Sequence, residues 1–119
     1  MINEFEVAPF IIEHIPEIDT ANIEAGKKGC VYKNMQSLIN YTVAKVKEHN
    51  YIAVKGCFTT VDSLYDKGNN IVKNAVENVY VFALGNILHV EEAASYKLLA
   101  IIPLTLYTLY INHLNTFGC

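Results

Sequence analysis

The chain has 119 residues, a formal net charge of −3, 52% hydrophobic residues and a mean hydropathy of +0.22. It contains no arginine, so it cannot form bidentate clamps on phosphate or guanine, and a net-acidic domain of this kind is a poor nucleic-acid binder. Its longest apolar-dominated run, residues 98–111, contains Pro103 and is shorter than the roughly 20 residues of a membrane-spanning helix. We therefore expect a cytoplasmic protein with one domain over residues 1–119. The high apolar content predicts that a protein partner covers part of its surface.

The N-terminal segment is acidic. Residues 1–24 carry six of the 12 acidic residues and no lysine, whereas residues 25–73 carry eight of the nine lysines. The absence of early positive charge argues against a secretory signal. The asymmetry predicts that the acidic segment lies against lysine-bearing helices or, alternatively, that the lysines face an acidic protein partner. A short helix is predicted near residues 3–14, ending before Pro16, and the GKKG sequence at 26–29 predicts a solvated turn because it lacks the context of a phosphate-binding loop.

Two amphipathic helices are predicted next. Residues 31–49 and 51–67 each place apolar side chains along one face with the 3.6-residue period, and polar side chains along the other. Asn50 is the expected left-handed C-cap of the first helix, and Gly68 is the expected C′ glycine of the second. The asparagines at 69–70 supply an N-cap for the helix that follows.

The segment 70–88 contains VYVFAL, which alone would suit a buried strand. Its apolar residues nevertheless keep helical spacing for five turns, and alternation with a period of two fails. The apolar face contains Val72, Ala75, Val76, Val79, Ala83 and Ile87. We therefore predict a central helix whose second half is buried nearly all round.

A polar group lies opposite that apolar face. Its members are Lys73, Asn74, Glu77 and Asn78. They are typical of a solvated helix face, but asparagine forms helices poorly, so a polar interaction patch is the alternative.

The C-terminal part predicts a helix that starts near Glu91 and Glu92, since carboxylates suit a first turn, and that is kinked or restarted at Pro103. Helix is favoured over strand for 104–111. If the helix is continuous, one stripe contains Tyr96, Ala100, Pro103, Tyr107 and Tyr110, and the other apolar face contains Leu98, Ile101, Ile102 and Leu109. Tyrosine is enriched at interfaces. The tyrosine stripe belongs either to the core or to an interface. Because only one of the two faces can point into the core, we predict that the face with Leu98, Ile101, Ile102 and Leu109 turns inward and that the tyrosine face forms a twofold homodimer.

The sequence lacks recognisable catalytic or metal-binding motifs. His14, His49, His89 and Cys57 do not have the i, i+3 or i, i+4 spacing of a helical metal site, and clustered thiols are absent. The odd number of cysteines indicates reduced thiols, with Cys57 as a small core residue. We therefore expect no enzyme activity and no cofactor.

GNNIVKNAVENVYVFALG, preceded by CFTTVDSLYDKG and followed by the IIPLTLY segment, resembles a family of small uncharacterised bacterial proteins with a VKNA-ENV signature. The resemblance covers roughly residues 30–111. It implies an all-helical fold without an established activity, and some of these proteins look like immunity-type proteins that neutralise a toxin.

These observations predict an all-α fold of five to six helices packed as antiparallel pairs, in a helical bundle or a short HEAT-like array. The predicted function is a non-enzymatic protein-binding module, with toxin neutralisation as its specific form. The alternative is a small-molecule-binding helical protein or an enzyme with an interhelical pocket. A homo-oligomeric structural protein is the third hypothesis.

Overall fold

A computed structural model describes residues 1–18 and 30–117 of the protein. The first helices are α1 (Val7–His14), α2 (Cys30–Lys47) and α3 (Tyr51–Lys67). The central helix follows over residues 70–88, and it consists of α4 (Asn70–Ala75), a π-helical segment (Val76–Val81) and α5 (Phe82–Leu88). A 3₁₀ turn (Glu92–Ala94) leads into α6 (Ser95–Ile101), and α7 (Leu104–Phe117) is the last helix described.

The predicted all-α fold is confirmed, with six helices in the described ranges when the central helix is counted once. The segment 104–111, which could have been a strand, lies within α7. No strand occurs in residues 1–18 or 30–117. The GKKG turn predicted at 26–29 lies outside the described residues.

The centre of the fold is formed by α2, α3 and the central helix. α2 packs against α3, the π-helical segment and α5. The short junctions at 48–50 and 68–69 reverse the chain, so consecutive helices are antiparallel neighbours. α1 lies against α2 and α3, and α7 lies against the π-helical segment and α5. The buried apolar side chains of these helices form one cluster, whose largest fully buried members are Tyr80, Phe58, Ile11, Met35, Leu38, Leu64 and Leu84.

α1 begins at Val7, later than the predicted start near residue 3, and Asn3 and Glu6 form a reciprocal turn just before it. The Glu6 backbone N–H donates to Asn3 Oδ1 (3.1 Å), and the Asn3 backbone N–H donates to Glu6 Oε1 (3.0 Å). This is the pairing of a capping box. The helix ends at His14, before Pro16, as predicted.

The left-handed residue after α2 is His49, with φ of 58°, so the prediction of a left-handed Asn50 is wrong. Asn50 instead caps the start of α3, because its side-chain oxygen accepts a hydrogen bond from the Ala53 N–H (3.2 Å). With a junction this short, one asparagine can serve the following helix only if the residue before it ends the preceding helix.

Gly68 has extended backbone angles (φ −77°, ψ 155°), so its predicted role as a left-handed C′ glycine is wrong. It forms an isolated parallel bridge with Ile2, in which Ile2 N–H donates to Lys67 O (2.7 Å) and Asn69 N–H donates to Ile2 O (2.8 Å). The predicted N-cap is confirmed, since Asn69 Oδ1 accepts from the Val72 N–H (3.0 Å). The junction therefore joins the N-terminal segment to two helices at once.

Gly68 is required at this junction for steric reasons. A Cβ atom at this position would lie 2.4 Å from the Leu64 carbonyl oxygen and 2.6 Å from Val72 Cγ1. Contacts this short are forbidden, and one of them is to backbone, which cannot rotate away. The close approach of α3 and α4 therefore depends on the missing side chain.

Candidate interaction site

The central helix contains a π-helical segment, Val76–Val81, between two α-helical parts. A π-helical hydrogen bond spans five residues instead of four, so the segment accommodates an extra residue and turns the later side chains by about 100° relative to an uninterrupted α-helix. Tyr80 and Leu84 are fully buried, where the α-helical period predicted Val79 and Ala83. The π-helical segment therefore changes which side chains enter the core.

The side chains displaced from the core face α2. Val79 and Ala83 are half-buried, and the phenyl ring of Phe82 is 65% exposed. The prediction that the second half of the central helix is buried nearly all round is therefore wrong on this side. The reason is the extra residue, which a period of 3.6 does not include.

Buried hydroxyl groups hold the π-helical segment against α2. Thr42 Oγ1 donates to Leu38 O (2.7 Å) and lies 2.9 Å from Tyr80 Oη. Because the single hydroxyl hydrogen of Thr42 is used by Leu38, the Tyr80 hydroxyl donates to Thr42. Both side chains are fully buried, and no buried side-chain nitrogen or oxygen in the described residues lacks a hydrogen-bond partner. The pair fixes the rotation of the helix at Tyr80.

Cys57 of α3 lies beside these hydroxyl groups and is fully buried, as predicted for a small core residue. Burial raises the pKa of the Cys57 thiol to about 11. Burial also raises the pKa of Tyr80 well above its ordinary value. Both groups are therefore neutral near pH 7, and a neutral buried thiol is a poor nucleophile.

A groove runs between α2 and the central helix, where the displaced side chains lie. It encloses about 440 Å³. Its lining consists of Gln36, Ile39, Val43, Asn78, Val79, Phe82, Ala83, Asn86 and Ile87. The aliphatic side chains form the floor and the amides form the rim, and none of these lining residues carries a formal charge.

Phe82 forms one edge of the groove and contacts α7. Its ring and that of His113 are 5.4 Å apart, with an interplanar angle of 84°. This edge-to-face geometry is favourable for aromatic pairs and restrains the phenyl ring. An exposed aromatic side chain is thus held in a defined position beside an apolar floor.

The predicted polar group is divided between two surfaces. Glu77 Oε1 accepts a hydrogen bond from Tyr65 Oη (2.8 Å), which raises the pKa of Tyr65, and Lys73 Nζ lies 5.6 Å from the centre of the Tyr65 ring. Asn78 instead lines the groove, and Asn74 is exposed. Lys73 and Glu77 therefore surround a tyrosine of α3, and the role of the four residues in binding stays a prediction.

The single tyrosine stripe predicted for a continuous last helix does not form. The helix is interrupted at Ile102, whose extended angles (φ −73°, ψ 133°) suit a residue before proline. Tyr96 and Tyr107 are exposed, whereas Tyr110 is half-buried and lies against Gly85, where an added methyl group would be 3.9 Å from Tyr110 Oη. The break confirms the predicted effect of Pro103 and separates Tyr96 from the two tyrosines of α7.

Sequence reasoning missed a second apolar surface at this break. We define the elbow surface as Leu99, Ile102, Leu104 and Tyr107, which surround a hollow of about 340 Å³. Ile102 was predicted on the inward face. The signal that could have identified the surface is Pro103, because a restarted helix does not keep the angular order of the residues before it.

The histidines described do not gather into a metal site. His49 Nε2 pairs with Glu91 Oε2, and His14 Nδ1 lies 2.9 Å from the Phe10 carbonyl oxygen. Within residues 1–18 and 30–117, no three side chains of histidine, cysteine, aspartate or glutamate lie close enough together to hold an ion. In the same ranges, no helix is both long and apolar enough to cross a membrane.

Comparisons with known proteins bear on the chain as a whole. Searches of curated proteins and of solved structures give no match. A family model matches residues 8–117, and its description is "Domain of unknown function (DUF7674)". This confirms the resemblance to an uncharacterised family, while the VKNA-ENV signature and the likeness to immunity proteins stay predictions. The match covers most of the sequence, and the chain therefore belongs to the DUF7674 family.

Proposed function

We propose that the protein is a non-enzymatic protein-binding module that receives a partner in the groove between α2 and the central helix. The observation that carries the proposal is Phe82, a large aromatic side chain that is 65% exposed at the edge of an apolar groove. Burial of such a ring contributes roughly 1.5–3 kcal/mol to association. Aromatic side chains of this kind are common energetic centres of protein interfaces.

The rim of the groove supports a peptide as the ligand. Asn78 and Asn86 are exposed, and neither makes a side-chain hydrogen bond with another described residue. Each free amide can donate to a backbone carbonyl and accept from a backbone N–H. Because the groove lining carries no formal charge, the contacting segment of the partner should be apolar and uncharged.

The lack of enzyme activity remains part of the proposal. It is supported by the state of Cys57 and Tyr80, which lie in the core next to the π-helical segment and are neutral near pH 7. A catalytic nucleophile or base requires the opposite arrangement, with a reactive protonation state and access to a ligand.

We propose toxin neutralisation in a bacterial cytoplasm as the specific form of this function. Its support is the resemblance over residues 30–111 to a family in which some members look like immunity-type proteins, together with the uncharged groove. In this form the occupant is an apolar segment of a toxin protein, and the groove blocks that segment by burying it.

Site-specific photo-crosslinking tests the proposal in the native host. p-Benzoyl-phenylalanine is introduced in place of Phe82 or, as the control, in place of Ile52, which is 88% exposed on α3 outside the groove. We expect a protein to be captured from the first position only. The captured protein is then purified, and Phe82→Ala should weaken its binding by about tenfold or more, whereas Ile52→Ala should change it less than about twofold.

Equal effects of the two alanine variants would contradict a role for the groove. Co-expression tests the specific form. The captured protein should be toxic alone and harmless beside the unmodified chain, and Phe82→Ala should restore its toxicity. A captured protein that is harmless alone would overturn toxin neutralisation while leaving protein binding in place.

A second candidate function is small-molecule binding in the same groove. The volume of about 440 Å³ lies within the usual range of ligand pockets, roughly 300–1,000 Å³. Native mass spectrometry of protein purified from its own cells tests this alternative. A bound small molecule that Val79→Trp displaces would replace the protein-binding proposal.

A further inference from the structure

The elbow surface between α6 and α7 combines a hollow with a protruding side chain. Leu104 is 79% exposed, and Leu99 and Tyr107 are 43% and 38% exposed. Together with Ile102 they surround the hollow of about 340 Å³. A surface that contains both features can be complementary to a second copy of itself, which is the requirement for a twofold interface.

The charge pattern around the elbow surface also favours a second copy. Residues 98–117 contain no aspartate, glutamate, lysine or arginine. The nearest lysine in sequence, Lys97, has its Nζ 5.5 Å from the centre of the Tyr51 ring, so it is directed toward α3. Two elbows can therefore face each other without bringing like charges together. An anionic membrane or an acidic protein would find no cation here.

We propose that two copies of the chain associate elbow to elbow about a twofold axis, with Leu104 of each copy entering the hollow of the other. No residue lines both the elbow and the groove, so the dimer is independent of the proposed groove ligand. It also differs from the dimer predicted through Tyr96, Tyr107 and Tyr110, because Tyr110 packs toward Gly85.

The expected affinity is modest. The exposed side chains of the elbow can bury on the order of 700 Å² over both copies, which is the size of a small, weak interface. We therefore expect a weak dimer, with a dissociation constant on the order of tens of micromolar. The dimer should therefore form reversibly over concentrations that sedimentation experiments can reach.

Analytical ultracentrifugation of the full chain, from about 1 to 200 μM, tests the proposal over the range that this affinity requires. We expect a monomer–dimer equilibrium that Leu104→Lys weakens by about tenfold or more, because a lysine in the apolar hollow is desolvated without a partner. Ile52→Lys is the matched control, since Ile52 is also highly exposed but lies on α3. Circular dichroism melts establish that both variants remain folded.

Three results would overturn the dimer. They are a chain that stays monomeric at the highest concentration, equal weakening by the two lysine variants, and assemblies that grow beyond two copies. Phe82→Ala separates this proposal from the proposed function, because it should leave the dimer unchanged. If Phe82→Ala abolishes association and Leu104→Lys does not, the groove is the self-association site and the elbow is not.

Discussion

The two parts of the central helix differ in what determines their structure. At its start, the Asn69 cap and the close approach at Gly68 fix the position of α4, and both are local features of the sequence. In its second part, the π-helical segment is fixed by the Tyr80–Thr42 hydrogen bond, whose partners are 38 residues apart. The first part packs closely against α3, whereas the second exposes Phe82 beside a groove. The closely packed part of the helix and the proposed binding site therefore lie in different parts of one helix.

The largest expected effect is at the start of the helix. Gly68→Ala places a methyl group 2.4 Å from the Leu64 carbonyl oxygen, and overpacking against backbone should lower the free energy of unfolding by about 3 kcal/mol. Urea denaturation measures the loss. Gly56→Ala is the control, because a Cβ there meets nothing within 4 Å and removing a helix-interior glycine should stabilise by up to about 1 kcal/mol. Similar losses in the two variants would show that packing does not determine this junction.

The next effect concerns the interior behind the π-helical segment and depends on pH. The pKa of Cys57 is raised from 9.0 to about 11, so the unfolded chain loses this proton first as pH rises. The stabilisation of the folded chain that results from this pKa difference is complete below pH 9 and is lost as the pH rises toward 11. The loss should be on the order of 2 kcal/mol.

Unfolding experiments at pH 8 and pH 10.5 measure that loss for the unmodified chain and for Cys57→Ala. The cavity left by alanine lowers the free energy of unfolding at both pH values. The quantity to compare is therefore the decrease in that free energy from pH 8 to pH 10.5. It should be smaller in Cys57→Ala, while the raised pKa values of Tyr41 and Tyr80 maintain a residual decrease in both proteins. An identical decrease in the two proteins would exclude Cys57 as its source.

A smaller effect is expected at the hydrogen bond that orients the π-helical segment. Tyr80→Phe removes the donor to Thr42, but Thr42 keeps its bond to Leu38, so no buried polar group loses all its partners. The free energy of unfolding should fall by about 1 kcal/mol. A double-mutant cycle with Thr42→Val measures the interaction itself, and additive losses would mean that the two hydroxyl groups do not cooperate.

The smallest effect should be at the groove edge. Because the Phe82 ring is 65% exposed, Phe82→Ala should change the free energy of unfolding by less than about 0.5 kcal/mol. The buried Leu84, two positions later, is the matched comparison, and Leu84→Ala should cost about 2–5 kcal/mol. A large loss from Phe82→Ala would assign its ring to the fold and weaken the case that it is kept for binding.

Much of the fold could be predicted from local patterns. The helical periods of α2 and α3, the Asn69 cap and the interruption at Pro103 each follow from a few neighbouring residues. The π-helical segment could not be predicted in this way, because apolar residues occupy both possible registers. Val79 and Tyr80 are adjacent, and the apolar pattern allows either to enter the core. The hydrogen bond with the Thr42 hydroxyl favours the register in which Tyr80 is buried.

The candidate surfaces were less predictable than the helices, for the same physical reason. Asn78 was identified among the polar residues, but its position on the groove depends on the rotation introduced by the π-helical segment. Leu99 and Leu104 were missed because a helical period was applied across the break at Ile102. A side chain's face can be read from sequence only as long as the helix remains regular.

The π-helical segment also has a consequence for inheritance. Substitutions can alter the lining of the groove one side chain at a time, but the extra residue in Val76–Val81 sets the angular position of every side chain after it. Loss of a single codon from this segment would let it close as ordinary α-helix and remove the bulge in one step. Members of the family that differ in length here should therefore differ in what the groove presents, even where the rest of their sequence is the same.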